Sequence, residues 1–186
     1  DWFKAGVIWS GPYTGARLTA ISLSLTNRES GLLQFDSPDG VTVATNLGGG
    51  ECRAFVATEF GGRYCYFKVD DSFKWADTMD VFVVADCFDA SPGMLRVEYD
   101  GSDVRAPFEG AYTSSPEAVT LSGSRTWREA AFSLPAARFR NSQNGGADFR
   151  LSSTAREFSV GRVQVVRPGL EADGFSAGGE FQIKLY

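Results

Sequence analysis

The sequence predicts an all-β protein of antiparallel strands, arranged as a two-sheet sandwich or a barrel. Three observations support this prediction. Apolar and polar residues alternate with a period of two in many short runs. Turn-forming Gly, Pro, Asn and Asp residues separate the runs at short spacings. No long segment carries apolar residues at helical spacing, so the crossover helices that a parallel sheet needs are not supported.

The strands follow one another along the chain, beginning with RLTAISLSLT at residues 17–26. In that run Ile21, Leu23 and Leu25 face one way while hydroxyl side chains face the other, which predicts a half-buried strand. Turns such as LGGG, YDGS, NGG and RPG separate the later runs. The same alternation predicts strands in RYCYFKV, VFVVADCF, MLRVEY, AVTLSG, WREAAFSL, DFRLS, FSVGRVQVV and EFQIKL.

The length of the chain predicts a single domain. A chain of 186 residues can bury a sizeable core without disulfide or metal support. It contains no fixed-period repeat and no low-complexity linker, and only the RPG turn at Arg167–Gly169 interrupts the pattern before a last strand. We therefore predict one β-sandwich domain over residues 1–186.

The charge pattern argues against two classes of partner. The net charge is −5, and the Lys and Arg residues are scattered rather than clustered, so nucleic acid and anionic membranes are poor candidates. The longest strongly apolar run, Val81–Ala85, is far shorter than the roughly 20 residues that span a bilayer. No basic and apolar leader opens the chain, so we expect any secretory signal to have been removed or to lie outside this sequence.

Three cysteines, Cys52, Cys65 and Cys87, lack the spacing of a zinc site. Cys65 shares its strand face with other apolar residues, and so does Cys87. A hairpin centred near Ala76 would place these two cysteines opposite one another. Two interpretations follow: a Cys65–Cys87 disulfide, or three buried free thiols.

The chain contains no histidine, which excludes several kinds of active site. A Ser-His-Asp triad, a Cys-His pair and the commonest transition-metal ligand are all absent. Two carboxylates could still perform acid and base catalysis of the glycosidase type, and Glu59 and Glu98 are the candidates. The alternative interpretation is that both are solvated side chains on a turn and a strand face.

Aromatic residues in loops give a stronger signal. Trp9 and Tyr13 lie in an N-terminal stretch rich in Gly, Pro and Ser, and Phe73 and Trp75 lie in the loop DDSFKWAD. A flat ring at the surface offers a stacking platform to the C–H face of a sugar. The alternative is that these rings close the ends of the sandwich. Trp127 lies within a predicted strand, so we expect it to pack in the core.

Acidic residues cluster around the same loop, at residues 70–71, Asp77 and Asp80. Carboxylate oxygens are the ligands that calcium prefers, although the spacing does not match an EF-hand loop. A structural calcium ion is one interpretation of this cluster. A solvated turn with Asp caps is the other.

The segment RFRNSQNGGADFRL, residues 138–151, combines amides with a turn signal. Asn-Gly permits the positive backbone torsions of a tight turn. The amides of Asn141, Gln143 and Asn144 donate and accept hydrogen bonds together, which suits the hydroxyl groups of carbohydrate. Arg138 lies beside them. The segment is predicted to turn the chain and to present polar groups to a ligand.

Several segments resemble the noncatalytic β-sandwich modules of secreted bacterial polysaccharide-active enzymes. The resemblance spans about residues 32–167, through GGGECRAF, RYCYFKVDDSF, LRVEYDG and VGRVQVV, and is most specific from Trp127 to Leu151. It implies a jelly roll of two antiparallel sheets, an extracellular location, and glycan attachment without catalysis. Residues 1–31 and 168–186 would add flanking strands.

The leading hypothesis is therefore a carbohydrate-binding module that holds a plant cell-wall polysaccharide near a covalently linked catalytic domain. A glycoside hydrolase using Glu59 and Glu98 is one rival, and a purely structural or adhesive sandwich is another. No cofactor is required by the leading hypothesis. The predicted binding residues are Trp9, Tyr13, Phe73, Trp75, Arg138, Asn141, Gln143 and Asn144.

Overall fold

The computed structural model describes residues 10–60 and 63–169, which form two antiparallel β-sheets. Helical structure in these residues is limited to 3-10 turns such as Asp71–Phe73 and Asn144–Gly146. No helix in this part of the chain has the length and apolar character needed to cross a membrane. The strands are β1 Leu18–Ser22, β2 Arg28–Ser30, β3 Leu32–Phe35, β4 Val41–Leu47, β5 Gly50–Val56, β6 Tyr64–Val69, β7 Met79–Phe88, β8 Pro92–Tyr99, β9 Thr113–Ser114, β10 Val119–Ser122, β11 Trp127–Ala137, β12 Phe149–Ser153 and β13 Ser159–Val166.

The strand order confirms the predicted jelly roll. The seven-stranded sheet runs β11-β7-β13-β1-β2, with β5 also pairing β13 and β4 pairing β5. The six-stranded sheet runs β10-β8-β12-β6-β3, with β9 on β8. From β5 to β13 the chain crosses repeatedly between the sheets, which is the double-sheet arrangement of a jelly roll. All pairings between these strands are antiparallel.

The core lies between the two sheets and follows from the period-two alternation. In β7, Val81, Val83 and Ala85 are buried and belong to the core cluster. In the facing sheet, Phe67 of β6 and Phe149 of β12 are register partners whose rings stack with centroids 5.0 Å apart. Burying each such side chain contributes about 1.5–3 kcal/mol, so the packed interior is a large part of what holds the two sheets together.

The first strand is shorter than its alternation predicts. β1 ends at Ser22, and Leu23 is still buried, but Leu25 is 85% exposed. The Ser24 N–H donates to Asn27 Oδ1, and the Ser24 hydroxyl donates to the Thr26 carbonyl. These local bonds turn the chain before Leu25, so the expectation that Leu25 faces the core is wrong.

The predicted Cys65–Cys87 disulfide is also wrong. Cys65 lies in β6 and Cys87 lies in β7, and these strands belong to opposite sheets rather than to one hairpin. The 3-10 turn Asp71–Phe73 carries the chain from one sheet to the other. Cys52, Cys65 and Cys87 are all buried and free, which is the second of the two interpretations.

Candidate functional site

The outer face of the six-stranded sheet carries an unusual group of polar and aromatic side chains. Because Cys65 and Phe67 point into the core, their neighbours Tyr64 and Tyr66 lie on the opposite face of the sheet, where Tyr64 is half-exposed and Tyr66 is covered by other side chains. Arg150 of β12 lies opposite Tyr66 on one side and opposite Glu98 of β8 on the other. The sheet register therefore brings together residues that are far apart in the chain.

Arg150 is the centre of this group. Its guanidinium lies 3.6 Å from the ring centroid of Tyr64 and 4.4 Å from that of Tyr112. Its Nε donates to Glu98 Oε2 at 2.6 Å, and its Nη1 donates to the Tyr66 hydroxyl at 2.6 Å. Cation–π contacts and charge-assisted hydrogen bonds together fix the plane of the guanidinium. We call these five residues the tyrosine–arginine site.

Two loops contribute further polar groups to the site. The Tyr66 hydroxyl donates to Asp39 Oδ2 at 2.8 Å, and Asn144 Nδ2 donates to both Asp39 oxygens at 3.2 Å. The Asn144 N–H donates to the Tyr112 hydroxyl at 3.0 Å. Burial raises the pKa of Asp39, but hydrogen bonds from Tyr66, Ser37 and Asn144 outweigh it, so the pKa lies below its ordinary value. Asp39 therefore remains an ionised acceptor.

The turn that presents Asn144 depends on glycine. Gly145 has a φ of 67°, a backbone conformation that side chains disfavour. A Cβ at Gly145 would meet Phe35 Cε2. The prediction that the NGG sequence turns the chain is confirmed by the 3-10 turn Asn144–Gly146.

Exposed aromatic rings adjoin the polar centre. Phe60, which is 65% exposed, lines a cavity of about 560 Å³ together with Asp39, Asn144 and Gly145. Phe108, which is 80% exposed, packs edge-on against Tyr112 with ring centroids 5.5 Å apart. Large apolar rings held in water beside fixed hydrogen-bonding groups can stack on a flat ligand that also carries hydroxyl groups.

Of the predicted binding residues that the structure describes, one lies in this group. Asn144 does, whereas Phe73 is fully buried and Gln143 is 4% exposed. Gln143 Nε2 donates to the carbonyls of Glu98 and Ala111, at 3.0 and 2.6 Å, so this amide supports the site from beneath. Burial removes Phe73 and Gln143 from the predicted set of ligand contacts.

Arg138 and Asn141 hold the loop in place. Arg138 forms an ion pair with the buried Asp100, at 3.1 Å, and donates to the Glu109 carbonyl. The Asn141 N–H donates to the buried Asp148 at 2.9 Å. The Arg138 side chain is thus engaged with the protein interior, whereas Asn141 is anchored through its backbone N–H and its side-chain oxygen is buried. We include neither residue among the ligand contacts.

The remaining predicted aromatic residues lie elsewhere or outside the described residues. Trp75 is 40% exposed, and the guanidinium of Arg167 lies 3.9 Å from its ring centroid. Tyr13 is half-buried and lines a separate cavity of about 380 Å³ with Lys68 and other residues. Trp9 lies outside the described residues. Trp127, expected in the core, lies half-exposed at the start of β11.

Two aspartates of the acidic loop have partners within the protein. Asp70 accepts hydrogen bonds from the N–H and hydroxyl of Ser72, which caps the 3-10 turn. Asp71 forms an ion pair with Lys74 at 2.5 Å. Among residues 10–60 and 63–169, no three acidic or cysteine side chains come together in a way that could hold a metal.

The two proposed catalytic carboxylates have different surroundings. Glu98 is ion-paired with Arg150 in the tyrosine–arginine site. Glu59 is exposed and forms no hydrogen bond or ion pair with the described part of the chain. No polar contact links these two side chains.

Sequence reasoning missed Tyr64, Tyr66 and Arg150. A usable signal was present, because the alternation in RYCYFKV places two tyrosines on the face opposite Cys65 and Phe67. The signal was incomplete, because only the register of β6 with β12 shows that Arg150 lies beside them.

Comparison with known proteins gives likeness of fold only. No family model and no curated protein matches the chain. The solved structures similar to it include the C-terminal CBM6 of the LamC laminarinase from Zobellia galactanivorans (11% identity, 81% of this chain and 99% of that one, TM-score 0.45). They also include a mutant of CBM29-2 (10% identity, 87% and 99%, TM-score 0.46). A third is the K1 cleaved adhesin domain of Lys-gingipain from Porphyromonas gingivalis (14% identity, 82% and 99%, TM-score 0.43).

The strand order makes the chain a jelly-roll β-sandwich. The carbohydrate-binding modules and the adhesin domain named above are similar to it in layout.

Proposed function

We propose that this chain is a non-catalytic carbohydrate-binding module whose ligand binds at the tyrosine–arginine site. The observation that carries the proposal is the set of exposed rings around fixed polar groups on one sheet face. Phe60, Phe108 and the half-exposed Tyr64 and Tyr112 supply surfaces for stacking on sugar C–H groups. Asn144 and its neighbours supply donors and acceptors for sugar hydroxyls.

The internal hydrogen bonds of the site favour binding over reactivity. Arg150, Glu98, Tyr66 and Asp39 are held by one another before any ligand arrives. Such preorganisation reduces the ordering cost of binding. A site of this kind holds a hydroxylated ligand in one orientation without supplying an activated nucleophile.

The wider setting of the proposal follows from the sequence resemblance. We propose that the ligand is a plant cell-wall polysaccharide, that the chain acts outside the cell, and that a catalytic domain is linked to it. Affinity electrophoresis against xylans, β-glucans, mannans and pectins would identify the ligand class. Release of reducing sugar that disappears in the Glu98→Gln variant would instead establish the hydrolase alternative.

Site-directed variants test the position of the site. Phe60→Ala should weaken binding by about fivefold because stacking on the exposed ring is lost. Asn144→Ala should weaken it as well, because a sugar hydroxyl would lose its partner. Leu25→Ala, another exposed apolar truncation, is the matched control and should leave binding unchanged. Retention of full affinity by both Phe60→Ala and Asn144→Ala would place the ligand elsewhere.

A saturating ligand should also raise the melting temperature by mass action. At a ligand concentration about 100 times Kd, the expected rise is about 5–10 °C for a domain of this size. If no glycan in the panel binds or shifts the melting temperature, the chain is better described as a structural or adhesive sandwich.

A further inference from the structure

A second cavity opens on the seven-stranded sheet, away from the tyrosine–arginine site. It has a volume of about 560 Å³ and lies where β11 begins, beside the β4–β5 hairpin. We call it the tryptophan cavity. Its lining includes Gly50, Gly161, Trp127 and three acidic residues, Glu51, Asp86 and Glu129.

The indole of Trp127 is fixed in this cavity by the backbone around it. Its Nε1 donates to the Leu47 carbonyl at 3.1 Å. A Cβ at Gly50 would lie 2.9 Å from Trp127 Cζ2, and a Cβ at Gly161 would lie 3.0 Å from Cη2. Phe88 packs against the same ring at 65°, with centroids 5.6 Å apart. The two glycines therefore create the space in which a half-exposed indole can rest against the sheet.

The charged groups of the cavity are predominantly acidic. Glu51, Asp86 and Glu129 line it, and none of their three carboxylates forms a hydrogen bond or ion pair with the described residues. The guanidinium of Arg128 is engaged outside this group, with Asp89 at 3.4 Å and with the Thr120 carbonyl at 3.2 Å. The cavity thus offers three carboxylates that no cation in the described chain neutralises by contact.

Arg162 is a second cation that the sheet register places beside the cavity. It lies opposite Asp86 in the pairing of β13 with β7, and its side chain is exposed. It forms no ion pair with Asp86 within 4.0 Å. Its charge reduces the negative potential of the cavity without occupying the carboxylates.

A partly exposed indole beside unpaired carboxylates suits a cation attached to a flat apolar body. The indole attracts a positive charge through its quadrupole and stacks on C–H groups. The carboxylates attract an ammonium group and repel acidic polysaccharides. A neutral glycan would gain only the stacking.

We propose that the tryptophan cavity binds a protonated amino sugar, with the pyranose against Trp127 and the ammonium group among Glu51, Asp86 and Glu129. This inference is independent of the tyrosine–arginine site, because the two sites lie on different sheets. It adds a ligand class to the molecule and requires no bond to form or break.

The test compares two oligosaccharides with the same sugar backbone, one with free protonated amino groups and one with uncharged N-acetyl groups. Binding of a β-1,4-linked glucosamine tetramer and of its fully N-acetylated counterpart is measured by titration calorimetry on the whole chain at low salt. The amine tetramer should bind at least fivefold tighter, and this advantage should shrink as salt screens the exposed charges. Equal affinity for the two tetramers would overturn the proposal, and so would equally tight binding of oligolysine.

Charge variants locate the binding. Glu129→Gln and Asp86→Asn should each lower the affinity for the amine tetramer by about threefold, whereas Arg162→Gln should raise that affinity. Glu59→Gln removes an exposed carboxylate elsewhere and should have no effect. These substitutions lie at the surface, so opposite signs for Glu129→Gln and Arg162→Gln cannot arise from misfolding. If none of Glu129→Gln, Asp86→Asn and Arg162→Gln changes the affinity for the amine tetramer, the assignment of this ligand to the tryptophan cavity is overturned.

Phe60→Ala separates this proposal from the one above. It should leave the amine tetramer unaffected while weakening the ligand of the tyrosine–arginine site. Loss of both ligands in this variant would show that they share one site and would overturn the independent cavity.

Discussion

Asp89 shows how much one buried carboxylate can organise. It is fully buried at the end of β7 and accepts hydrogen bonds from the N–H groups of Ser122 and Gly123 and from the hydroxyls of Ser122 and Ser124. Burial raises the pKa of Asp89, but these hydrogen bonds outweigh burial and hold the pKa well below its ordinary value. One side chain thus joins the end of β10 to β7.

Asp89→Asn should lower the free energy of unfolding at neutral pH by about 3 kcal/mol, because the amide presents a donor where the backbone also donates. Since the folded pKa is lowered, the stabilisation by Asp89 is present above the unfolded value of 3.8 and is lost as the pH falls below it. Denaturant unfolding at pH 7 and at pH 3 checks both statements. Asp103→Asn, an exposed ion-pair partner, is the control and should leave the transition midpoint unchanged.

At the scale of the element, the bulge in β13 and the indole of β11 form one unit. The register shifts between Val160 and Arg162, which places Gly161 under Trp127. A Cβ there would lie 3.0 Å from Trp127 Cη2 and 3.2 Å from the Glu51 carbonyl oxygen. A bulge that re-aims a side chain in this way is expected beside a binding site.

Gly161→Ala should therefore displace the indole and destabilise the fold by about 1–2 kcal/mol. In a Trp127→Ala background the same change should cost less, because the clashing ring is gone. A double-mutant cycle measured by chemical unfolding gives this coupling directly. If Gly161→Ala lowers the free energy of unfolding equally with and without Trp127, the glycine is required by the backbone conformation and not by contact with the indole.

The loop between β8 and β9 keeps an exposed ring in an unfavourable conformation. Phe108 and Glu109 have φ values of 54° and 57°, in the left-handed region that bulky residues disfavour. Phe108→Asn places a residue that tolerates this region, so the free energy of unfolding should change by less than about 1 kcal/mol. Glycan affinity should nevertheless fall, as affinity electrophoresis would show. If Phe108→Asn binds glycan as tightly as the unsubstituted chain does, Phe108 does not contact the ligand.

Elements were more predictable from sequence than the site was. Alternation identified β6, β7, β8 and β12, because their inward residues are apolar and buried. The β4–β5 hairpin was missed, since VTVATNL and GECRAFV mix polar residues among half-exposed ones. Which sheet receives a strand depends on tertiary packing, and this is why the hairpin predicted near Ala76 does not exist.

The tyrosine–arginine site was not predicted from the sequence, for a related physical reason. Loop aromatics such as Phe73 were expected at the surface, but a 3-10 turn carries Phe73 into the core. Arg150 gave no signal on its own in DFRLS, because its contacts are with tyrosines from β6 and from the β8–β9 connection. Such sites form when the register between strands brings distant residues together. That register could not be read from this one sequence.

For the whole molecule, stability should depend on pH through Asp148 with a sign opposite to that of Asp89. Burial raises the pKa of Asp148 to about 6, although Lys74 and the N–H groups of Asn141 and Val69 oppose the shift. The folded state therefore binds this proton more tightly than the unfolded chain does. Ionising the buried Asp148 side chain lowers the free energy of unfolding. This loss of stability is absent below pH 3.8 and complete above about pH 6.

This group alone should reduce the free energy of unfolding by roughly 2 kcal/mol as the pH rises from about 4 to 6. Asp148→Asn should flatten the stability profile across that window, measured by urea unfolding at closely spaced pH values. Asp77→Asn, at an exposed position, is the control and should preserve the slope. An unchanged slope in Asp148→Asn would assign the pH dependence to another group.

The three buried cysteines can report when the two packed sheets come apart. Burial raises the pKa of all three thiols, that of Cys87 to about 11, so few thiolates exist at neutral pH and none is at the surface. A maleimide should therefore leave the native chain unlabelled for as long as the sheets stay packed. Once a molecule opens, three labels should be added together, so a mass spectrum taken over time would read the opening rate without any engineered probe.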